Sequence, residues 1–492
     1  MKDLELSRRS LLRMVGGAAA ATAVGAATGC SLVGADDPSS SSGNKVTIKV
    51  AIVPDPTGAS EFYRQQFDTL EKRNPDIKIE IIENPTAQEL TAVELAFQQG
   101  NAPDVFRIQD NLFEDVYAKG WVAPLDKYVT DEFTSRFPAG SLNPATSGLH
   151  RDGKLYSLPL VWGPWSFTRT LLVNHTAAKV GGYTGVPATW EELESASTAI
   201  TKAGRGKTFG FAGMWQAGGL VQMLQTTAGP FSVASGVDYR TGKTALTDPS
   251  LVNAVELIRR MHNNKVMTPG WETWTDATQL YTPFAKDQLA IFIASPYEIA
   301  VIRTLNPDID MSIAPVPVPA SGRGGYSGQT SSFSPLWSMS AQSKNPDKAW
   351  KVMDFLSSKE FQLAYYEKFA TLTALQSAWQ DKAAADPDQK AILDVAAASV
   401  RLSPNPILSS DGGKQLMTAI GSNQDLAWAE VALPAILHNQ PFAPAAAQLN
   451  AKLDAFINQQ IKDLSAKGVK VSRADITFPD WNPLQAYQPG QK

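Results

Sequence analysis

Between residues 46 and 108 the sequence alternates strand patterns with helix patterns, and this alternation constrains the fold more than any other feature. Val46–Ile52 alternates apolar and polar side chains with the period of a half-buried strand. A helical pattern follows, and then come a second strand around Ile79, a second helix and a third strand at Val105–Ile108. Strands that alternate with helices in this way predict a parallel α/β sheet.

The stretch from Gly100 to Asp110 ends the second predicted helix and carries the third strand. Asp104 in its turn is expected to hold the backbone by hydrogen bonds rather than to bind a ligand. Ligands of parallel α/β sheets gather beyond the carboxyl ends of the strands. Asp55 follows the first strand, and Asp110 and Asn111 follow the third, so these three residues are candidate ligand contacts.

Residues 1–30 predict an export signal rather than part of the fold. Arg8 and Arg9 form a twin-arginine pair ahead of the apolar run Met14–Ala27, which is too short for a stable membrane span. Cys30 is the only cysteine, so it forms no internal disulfide. The arrangement resembles a bacterial lipoprotein signal, in which cleavage makes the cysteine N-terminal and acyl chains are attached to it. Ala27 stands where such signals usually carry leucine, so cleavage to a free secreted protein stays open.

Residues 31–44 are rich in serine and poor in apolar side chains, which predicts a flexible linker. The whole chain has 492 residues, enough for two globular lobes. Its 44 basic and 48 acidic residues nearly cancel, so no nucleic-acid partner is expected.

No complete catalytic or phosphate-binding motif stands in the sequence. The Gly-Lys-Thr triplets at 206–208 and 242–244 lack the earlier glycine of a phosphate loop. The sequence has neither a Gly-x-Ser-x-Gly elbow nor a His-Glu-x-x-His pair, and its four histidines lack metal-ligand spacing. We therefore predict no catalytic residue, no metal and no cofactor. A carboxylate pair for glycoside hydrolysis stays open, because the sequence does not place its carboxylates in space.

The 12 tryptophans are the positive signal for function. Several stand beside glycine or proline in loop-like settings, where ligands are usually met. A pyranose ring stacks its C–H face on aromatic planes while Asp, Asn, Gln and Arg side chains hold its hydroxyls. Packing explains any single tryptophan better, but the group indicates a carbohydrate site. The candidate stacking residues are Trp162, Trp165, Trp215, Trp271, Trp274 and Trp337.

The order of motifs resembles the carbohydrate-type solute-binding proteins of bacterial ATP-driven importers, the maltose-binding protein family. Each motif is weak alone, but the set in this order is specific and spans nearly the whole mature chain. The matching segments are residues 100–105, 120–125, 152–159, 173–174, 187–192, 284–290 and 344–350. Ser331 and Ser332 depart from the paired glycines that relatives often carry, which leaves the shape of that loop open.

The resemblance implies an α/β fold of two lobes, each a mainly parallel sheet flanked by helices, with the ligand in the cleft between them. It implies lobes of residues 45–157 plus 295–340 and of residues 158–294 plus 341–480, and an extended tail at 481–492. Crossings between lobes are expected near residues 158–161, 294 and 338–341. Transfer by position adds Tyr297, as a sugar-stacking aromatic, and Asp411 to the candidate ligand contacts.

The function implied is that of an extracytoplasmic receptor, which captures a sugar or oligosaccharide and delivers it to the membrane permease of an ABC importer. Such a receptor is a monomer without catalytic activity, held at the outer face of the plasma membrane by the lipid on Cys30. One alternative is a receptor for a glycerophosphodiester or another polar solute, with Arg107, Arg169 and Arg303 as candidate cations. The other is a secreted glycoside hydrolase.

Overall fold

A computed structural model describes residues 45–85, 88–109, 112–144, 147–213, 216–229, 235–274, 278–329 and 336–488. The strands in chain order are β1 (Val46–Ile52), β2 (Ile77–Glu83), β3 (Val105–Ile108), β4 (His150–Arg151), β5 (Lys154–Leu155), β6 (Ser157–Pro159), β7 (Thr170–Asn174), β8 (Phe209–Ala212), β9 (Val237–Asp238), β10 (Lys243–Thr244), β11 (Leu289–Ala294), β12 (Met311–Pro315), β13 (Ser327–Gln329), β14 (Leu336–Met339) and β15 (Val400–Leu402).

The α-helices in chain order are α1 (Ala59–Arg73), α2 (Glu89–Gln98), α3 (Phe113–Ala118), α4 (Asp131–Ser135), α5 (Gly163–Phe167), α6 (His175–Lys179), α7 (Trp190–Gly204), α8 (Gln216–Ala228), α9 (Pro249–Asn263), α10 (Thr278–Ala285), α11 (Pro296–Leu305), α12 (Pro346–Leu356), α13 (Lys359–Phe369), α14 (Gln376–Ala385), α15 (Pro387–Ser399), α16 (Asp411–Ser422), α17 (Ala429–Leu437) and α18 (Phe442–Ala466). Within the described ranges, no helix is long and apolar enough to cross a membrane.

The first sheet has five strands in the order β2-β1-β3-β14-β6. β1 pairs in parallel with β2 along its whole length and with β3 at Val50 and Ala51. The parallel arrangement predicted for residues 46–108 is therefore confirmed. Because β1 and β3 run in the same direction, their carboxyl ends lie at the same end of the sheet, and so do the residues that follow them, Asp55 and Gln109. We call this end, beyond the carboxyl ends of the strands, the edge of the first sheet.

The second sheet has four strands in the order β12-β7-β11-β8. β11 pairs in parallel with β8 and antiparallel with β7, which also pairs antiparallel with β12. Every residue of β7 and β11 is buried, as expected for central strands covered on both faces. The second sheet is thus built from the middle of the chain, and its central strands belong to the hydrophobic core.

Both sheets are mixed, which corrects the expectation of mainly parallel sheets. In the first sheet β14 is antiparallel to both β3 and β6, and in the second β7 is antiparallel to both neighbours. β7 and β14 each follow a connection that arrives from the other sheet. The chain therefore enters the sheet in the opposite direction to the strands that are linked by helices within it.

Strand pairing also departs from the predicted lobe boundaries. The segment 295–340 was assigned to the first lobe, but β12 pairs within the second sheet, and the chain returns to the first sheet only at β14. The second lobe was expected to resume at residue 341, but α13 packs on α1, with the rings of Phe62 and Phe361 5.7 Å apart. The finer boundaries stay a prediction.

The connections between the two sheets lie against each other. The connection from β6 to β7 contains α5, and the connection from β12 to β14 contains β13. Ser327 in β13 donates its hydroxyl hydrogen bond to the carbonyl oxygen of Phe167 in α5 at 2.7 Å. Val161 also forms a β-bridge with Thr373, between α13 and α14, and β13 pairs in parallel with β15.

Candidate functional site

The edge of the first sheet is built around Asp55 and Arg107. Asp55 stands in the loop after β1 and is exposed. Arg107 on β3 is only 7% exposed, and its Nη1 donates to the Asp55 carbonyl oxygen at 3.2 Å. Its Nε is buried without a hydrogen-bond partner. A buried cation thus holds the loop that presents the Asp55 side chain to solvent.

Glu89, the first residue of α2, lies beneath the same edge and is 1% exposed. Its Oε2 accepts the backbone N–H of Gln109 at 3.3 Å, and its Oε1 is buried without a partner. Burial raises the pKa of Glu89 to about 6, while the charge of Arg107 and the hydrogen bond from Gln109 act in the opposite direction. Glu89 therefore supports the strand end that leads to Asp110.

Tyr297 lies at the edge of the second sheet, in the first turn of the helix that follows β11, and is 42% exposed. Partial burial raises the pKa of Tyr297, and the charges of Glu298 and Asp55 raise it further, while Tyr281 and Arg169 lower it. Asp55 follows a strand of the first sheet, so its influence on Tyr297 indicates that these two residues lie within electrostatic range of each other.

Glu298, the neighbour of Tyr297, is fully buried. Its Oε1 accepts the backbone N–H of Ser295 at 3.0 Å, whereas its Oε2 has no partner. Burial raises the pKa of Glu298 to about 8, although the hydrogen bond from Ser295 and the charge of Arg169 lower it. Burial in turn lowers the pKa of Arg169 to about 10.

Two of the predicted stacking residues, Trp271 and Trp337, lie in the core with 2% and 1% exposure. The Trp271 Nε1–H donates to Nδ1 of His262 at 3.2 Å. The Trp337 ring meets the ring of Tyr63 edge-on, with 5.8 Å between centroids. Neither indole has a face open to a ligand, so we leave both out of the proposed site.

Three further tryptophans differ in exposure. Trp162 is half-buried just before α5, and its ring packs 5.7 Å from that of Trp379. Trp165, inside α5, is 6% exposed and belongs to the core. Trp274 is half-buried after the 3-10 helix 271–273. Trp162 and Trp274 therefore keep part of their rings accessible and stay candidates.

Four predicted residues, Asp110, Asn111, Trp215 and Cys30, lie outside the described residues, and their roles stay predictions. Asp411 begins α16, is exposed and accepts a 3.3 Å hydrogen bond from Gln415 Nε2. It lines a surface cavity of about 670 Å³ with residues of the segment 467–478. That cavity is lined by none of the residues around Asp55 and Tyr297.

Two structural roles are settled by hydrogen bonds. Asp104 accepts the backbone N–H of Lys49 on Oδ2 at 2.9 Å and the Ser343 hydroxyl on Oδ1 at 2.5 Å, which confirms its predicted framework role.

Arg303 donates to both carboxylate oxygens of Asp388 at 2.7 and 2.9 Å. Of the three candidate cations, only Arg107 and Arg169 therefore stand beside the site. Within the described ranges, no group of His, Cys, Asp or Glu residues is arranged to hold a metal ion.

The two buried glutamates, Glu89 and Glu298, were not predicted from the sequence. Glu298 stands three positions after Ser295, at the spacing of an ordinary helix cap. Glu89 stands in the first turn of a helix, where acidic residues are common. The sequence positions alone gave no sign that either carboxyl is buried beside an arginine.

Comparisons with known proteins bear on the family. Residues 54–363 match the profile of the family described as bacterial extracellular solute-binding protein. A putative binding protein of Brucella abortus (strain 2308) is 26% identical over 327 residues, which are 66% of this chain and 75% of that protein. The galactooligosaccharide-binding protein of Bacillus subtilis (strain 168) is 21% identical over 316 residues, 63% of this chain and 70% of that protein.

A solved structure gives the fold. The GacH receptor of Streptomyces glaucescens, determined without ligand and in complex with acarbose and an acarbose homologue, matches with a TM-score of 0.62 and 20% identity. The match covers 84% of this chain and 98% of the receptor. The fold is therefore the two-lobed α/β fold of periplasmic sugar-binding proteins, with one of the two main sheets in each lobe.

Proposed function

The chain belongs to the bacterial extracellular solute-binding protein family, and from that membership we propose that it is an extracytoplasmic receptor for a sugar or oligosaccharide. The receptor captures its ligand between the two lobes and delivers it to the permease of an ABC importer. It acts as a binding protein and carries out no chemistry on the ligand.

One observation supports the proposal: Tyr297, beside the second sheet, lies within electrostatic range of Asp55, which follows a strand of the first sheet. The tyrosine is 42% exposed, and the charge of the exposed Asp55 side chain raises its pKa. A pyranose ring offers an apolar face for stacking and hydroxyls for a carboxylate, so these two side chains suit opposite features of one sugar. Asp110, Asn111, Trp162 and Trp274 are the further contacts that we propose.

The relatives support a carbohydrate as ligand. The Bacillus protein is named for galactooligosaccharide binding, and the Streptomyces receptor binds acarbose. The family name places such proteins outside the cytoplasm. We propose in addition that residues 1–30 are a twin-arginine export signal, that a lipid on Cys30 anchors the protein, and that residues 31–44 tether the two lobes to the membrane surface.

A ligand panel tests the proposal. The purified protein is heated with neutral oligosaccharides, acidic oligosaccharides and glycerophosphocholine, and its melting temperature is recorded, because a ligand of the folded state raises that temperature. We expect at least one saccharide to raise it and to be recovered unchanged. A rise with glycerophosphocholine alone contradicts the carbohydrate assignment, and hydrolysis of the saccharide contradicts the receptor assignment.

A further inference from the structure

Two arginines, Arg323 and Arg401, contact the ring of the same tyrosine. Their guanidinium carbons lie 4.9 and 4.4 Å from the ring centroid of Tyr326. We refer to Arg323 and Arg401 as the arginine pair. The electron-rich ring attracts each guanidinium group, but the two like charges repel each other, and the charge of Arg401 lowers the pKa of Arg323. The arrangement therefore favours an anion nearby.

No carboxylate within the described residues neutralises the arginine pair. Nη1 of Arg323 donates to the carbonyl oxygen of Gly325 at 3.2 Å. Nη1 of Arg401 donates to the carbonyl oxygens of Ala397 and Val400 at 2.7 Å each. Burial and the charge of Arg401 both lower the pKa of Arg323, and only Tyr326 opposes them. The backbone thus fixes one end of each guanidinium and leaves its charge uncompensated.

The remaining guanidinium nitrogens are open to a ligand. Both arginines are half-buried. None of their nitrogens is among the buried atoms that lack a hydrogen-bond partner. Their other N–H groups therefore reach solvent. A guanidinium with free N–H groups in a fixed plane is suited to bind carboxylate or phosphate oxygens in pairs.

A buried hydroxyl on the same face adds a second donor. Gly328 of β13 pairs with Arg401 of β15, and alternation places Tyr326 and Gly328 on the face that carries Arg401 and Ser403. Ser403 is 8% exposed, and its hydroxyl has no hydrogen-bond partner. A Cβ on Gly328 would stand 2.8 Å from Ser403 Oγ, so this hydroxyl is directed towards the space above Gly328.

The arginine pair lies where the lobes are connected. β13 belongs to the connection from β12 to β14, and it contacts α5, in the connection from β6 to β7, through Ser327 and Phe167. Trp162, at the start of α5, is one of the proposed sugar contacts. A group bound by the arginine pair is therefore close to the segments that join the lobes.

We propose that the arginine pair, with the Ser403 hydroxyl, binds an anionic substituent of the saccharide, so that the preferred ligand is an acidic sugar. This inference rests on the proposed function. The shared chemistry is an oxyanion, either the carboxylate of a uronic acid or a phosphate ester. The guanidinium groups hold the oxyanion, and the Tyr326 ring keeps the two cations in place.

Isothermal titration calorimetry tests the inference with short oligogalacturonates, neutral galactooligosaccharides of the same length, galactose phosphate and inorganic phosphate. We expect the wild-type protein to bind an acidic saccharide about tenfold or more tightly than its neutral counterpart, as for one charged hydrogen-bonded contact. Preference for the uronic acid or for the sugar phosphate identifies the oxyanion.

Arg323→Gln and Arg401→Gln should each remove this preference and leave the affinity for the neutral saccharide unchanged, which also shows that the variants are folded. Arg205→Gln is the matched control, because Arg205 is an exposed arginine at the end of α7. A preference that survives in both variants overturns the inference. So does equal binding of neutral and acidic saccharides, or binding of inorganic phosphate alone. If no saccharide of either kind binds, the proposed function fails as well.

Discussion

Among the residues that the structure describes, each lobe has one buried glutamate close to an arginine, and the pKa values of the two glutamates differ. Glu89 lies near Arg107 in the first lobe, and Glu298 lies near Arg169 in the second. Each glutamate accepts a backbone N–H on one oxygen and leaves the other oxygen without a partner. Burial nevertheless raises the pKa of Glu89 only to about 6, and that of Glu298 to about 8.

The difference follows from burial, which is the largest influence on both pKa values, and from the interactions that oppose it. For Glu89, the charge of Arg107 is the largest influence that opposes burial. For Glu298, the backbone hydrogen bond from Ser295 opposes burial more than the charge of Arg169 does. Glu298 is also the more deeply buried of the two glutamates. At neutral pH Glu89 is therefore mainly ionised, and Glu298 is mainly protonated.

The largest expected effect is that of Glu298→Gln on the pH dependence of stability. The folded pKa of about 8 lies above the unfolded value of 4.5, so the folded state binds this proton more tightly. The stabilisation is complete below the unfolded value and is lost as the pH rises towards the folded value, by about 3–5 kcal/mol. Glutamine cannot ionise and should remove this loss. Urea unfolding across the pH range measures it, and an unchanged profile contradicts a buried acid.

Glu89→Gln should have the same sign and a smaller size. The folded pKa of Glu89, about 6, lies only a little above the unfolded value of 4.5, so stability is lost over a narrow pH range. We expect about 2 kcal/mol of stability to be lost across that range in the wild-type protein and not in the variant. An effect as large as that of Glu298→Gln would remove the proposed difference between the lobes.

Arg107→Met tests one contribution to that difference, the charge of Arg107. Without the opposing charge of Arg107, the pKa of Glu89 should rise above its wild-type value, while the pKa of Glu298 stays where it is. Carbon-13 NMR of the labelled glutamate carboxyl groups measures both titrations. A Glu89 titration that does not move contradicts the role given to Arg107.

The smallest effect is expected for a charge pair on the surface. Lys390 and Asp394 form an ion pair on α15, and their side chains are 61% and 67% exposed. Solvent screens such a pair, so Asp394→Asn should leave the pH profile of unfolding unchanged. This variant is the control for the two glutamate variants, and a change in its profile would show that the measurement responds to charge in general.

Local sequence patterns predicted local structure well. The alternation at residues 46–108 predicted β1 to β3 and their parallel pairing, and the turn chemistry predicted the framework role of Asp104. The mixed sheets were not predicted, because the pairing of β12 with β7 joins segments far apart in the chain. Whether a connection returns to its own sheet is decided by such long-range contacts.

The candidate site was predictable only in part. Asp55 is the third residue after β1, so strand-end reasoning proposed it as a contact, and the resemblance to the family supplied Tyr297. Trp271 and Trp337 also stand near glycine or proline, yet both are buried, because local sequence does not report which way a ring faces. The arginine pair joins residues 323 and 401, and only the pairing of β13 with β15 brings them together.

We propose that a saccharide binds between Asp55 of the first lobe and Tyr297 of the second. Calorimetric titration of the Asp55→Asn and Tyr297→Ala variants, with the saccharide that stabilises the wild-type protein, tests this site. Each substitution should weaken binding by about 1–3 kcal/mol, since one removes a charged acceptor and the other a stacking ring. Wild-type affinity in both variants would contradict a site between these two edges.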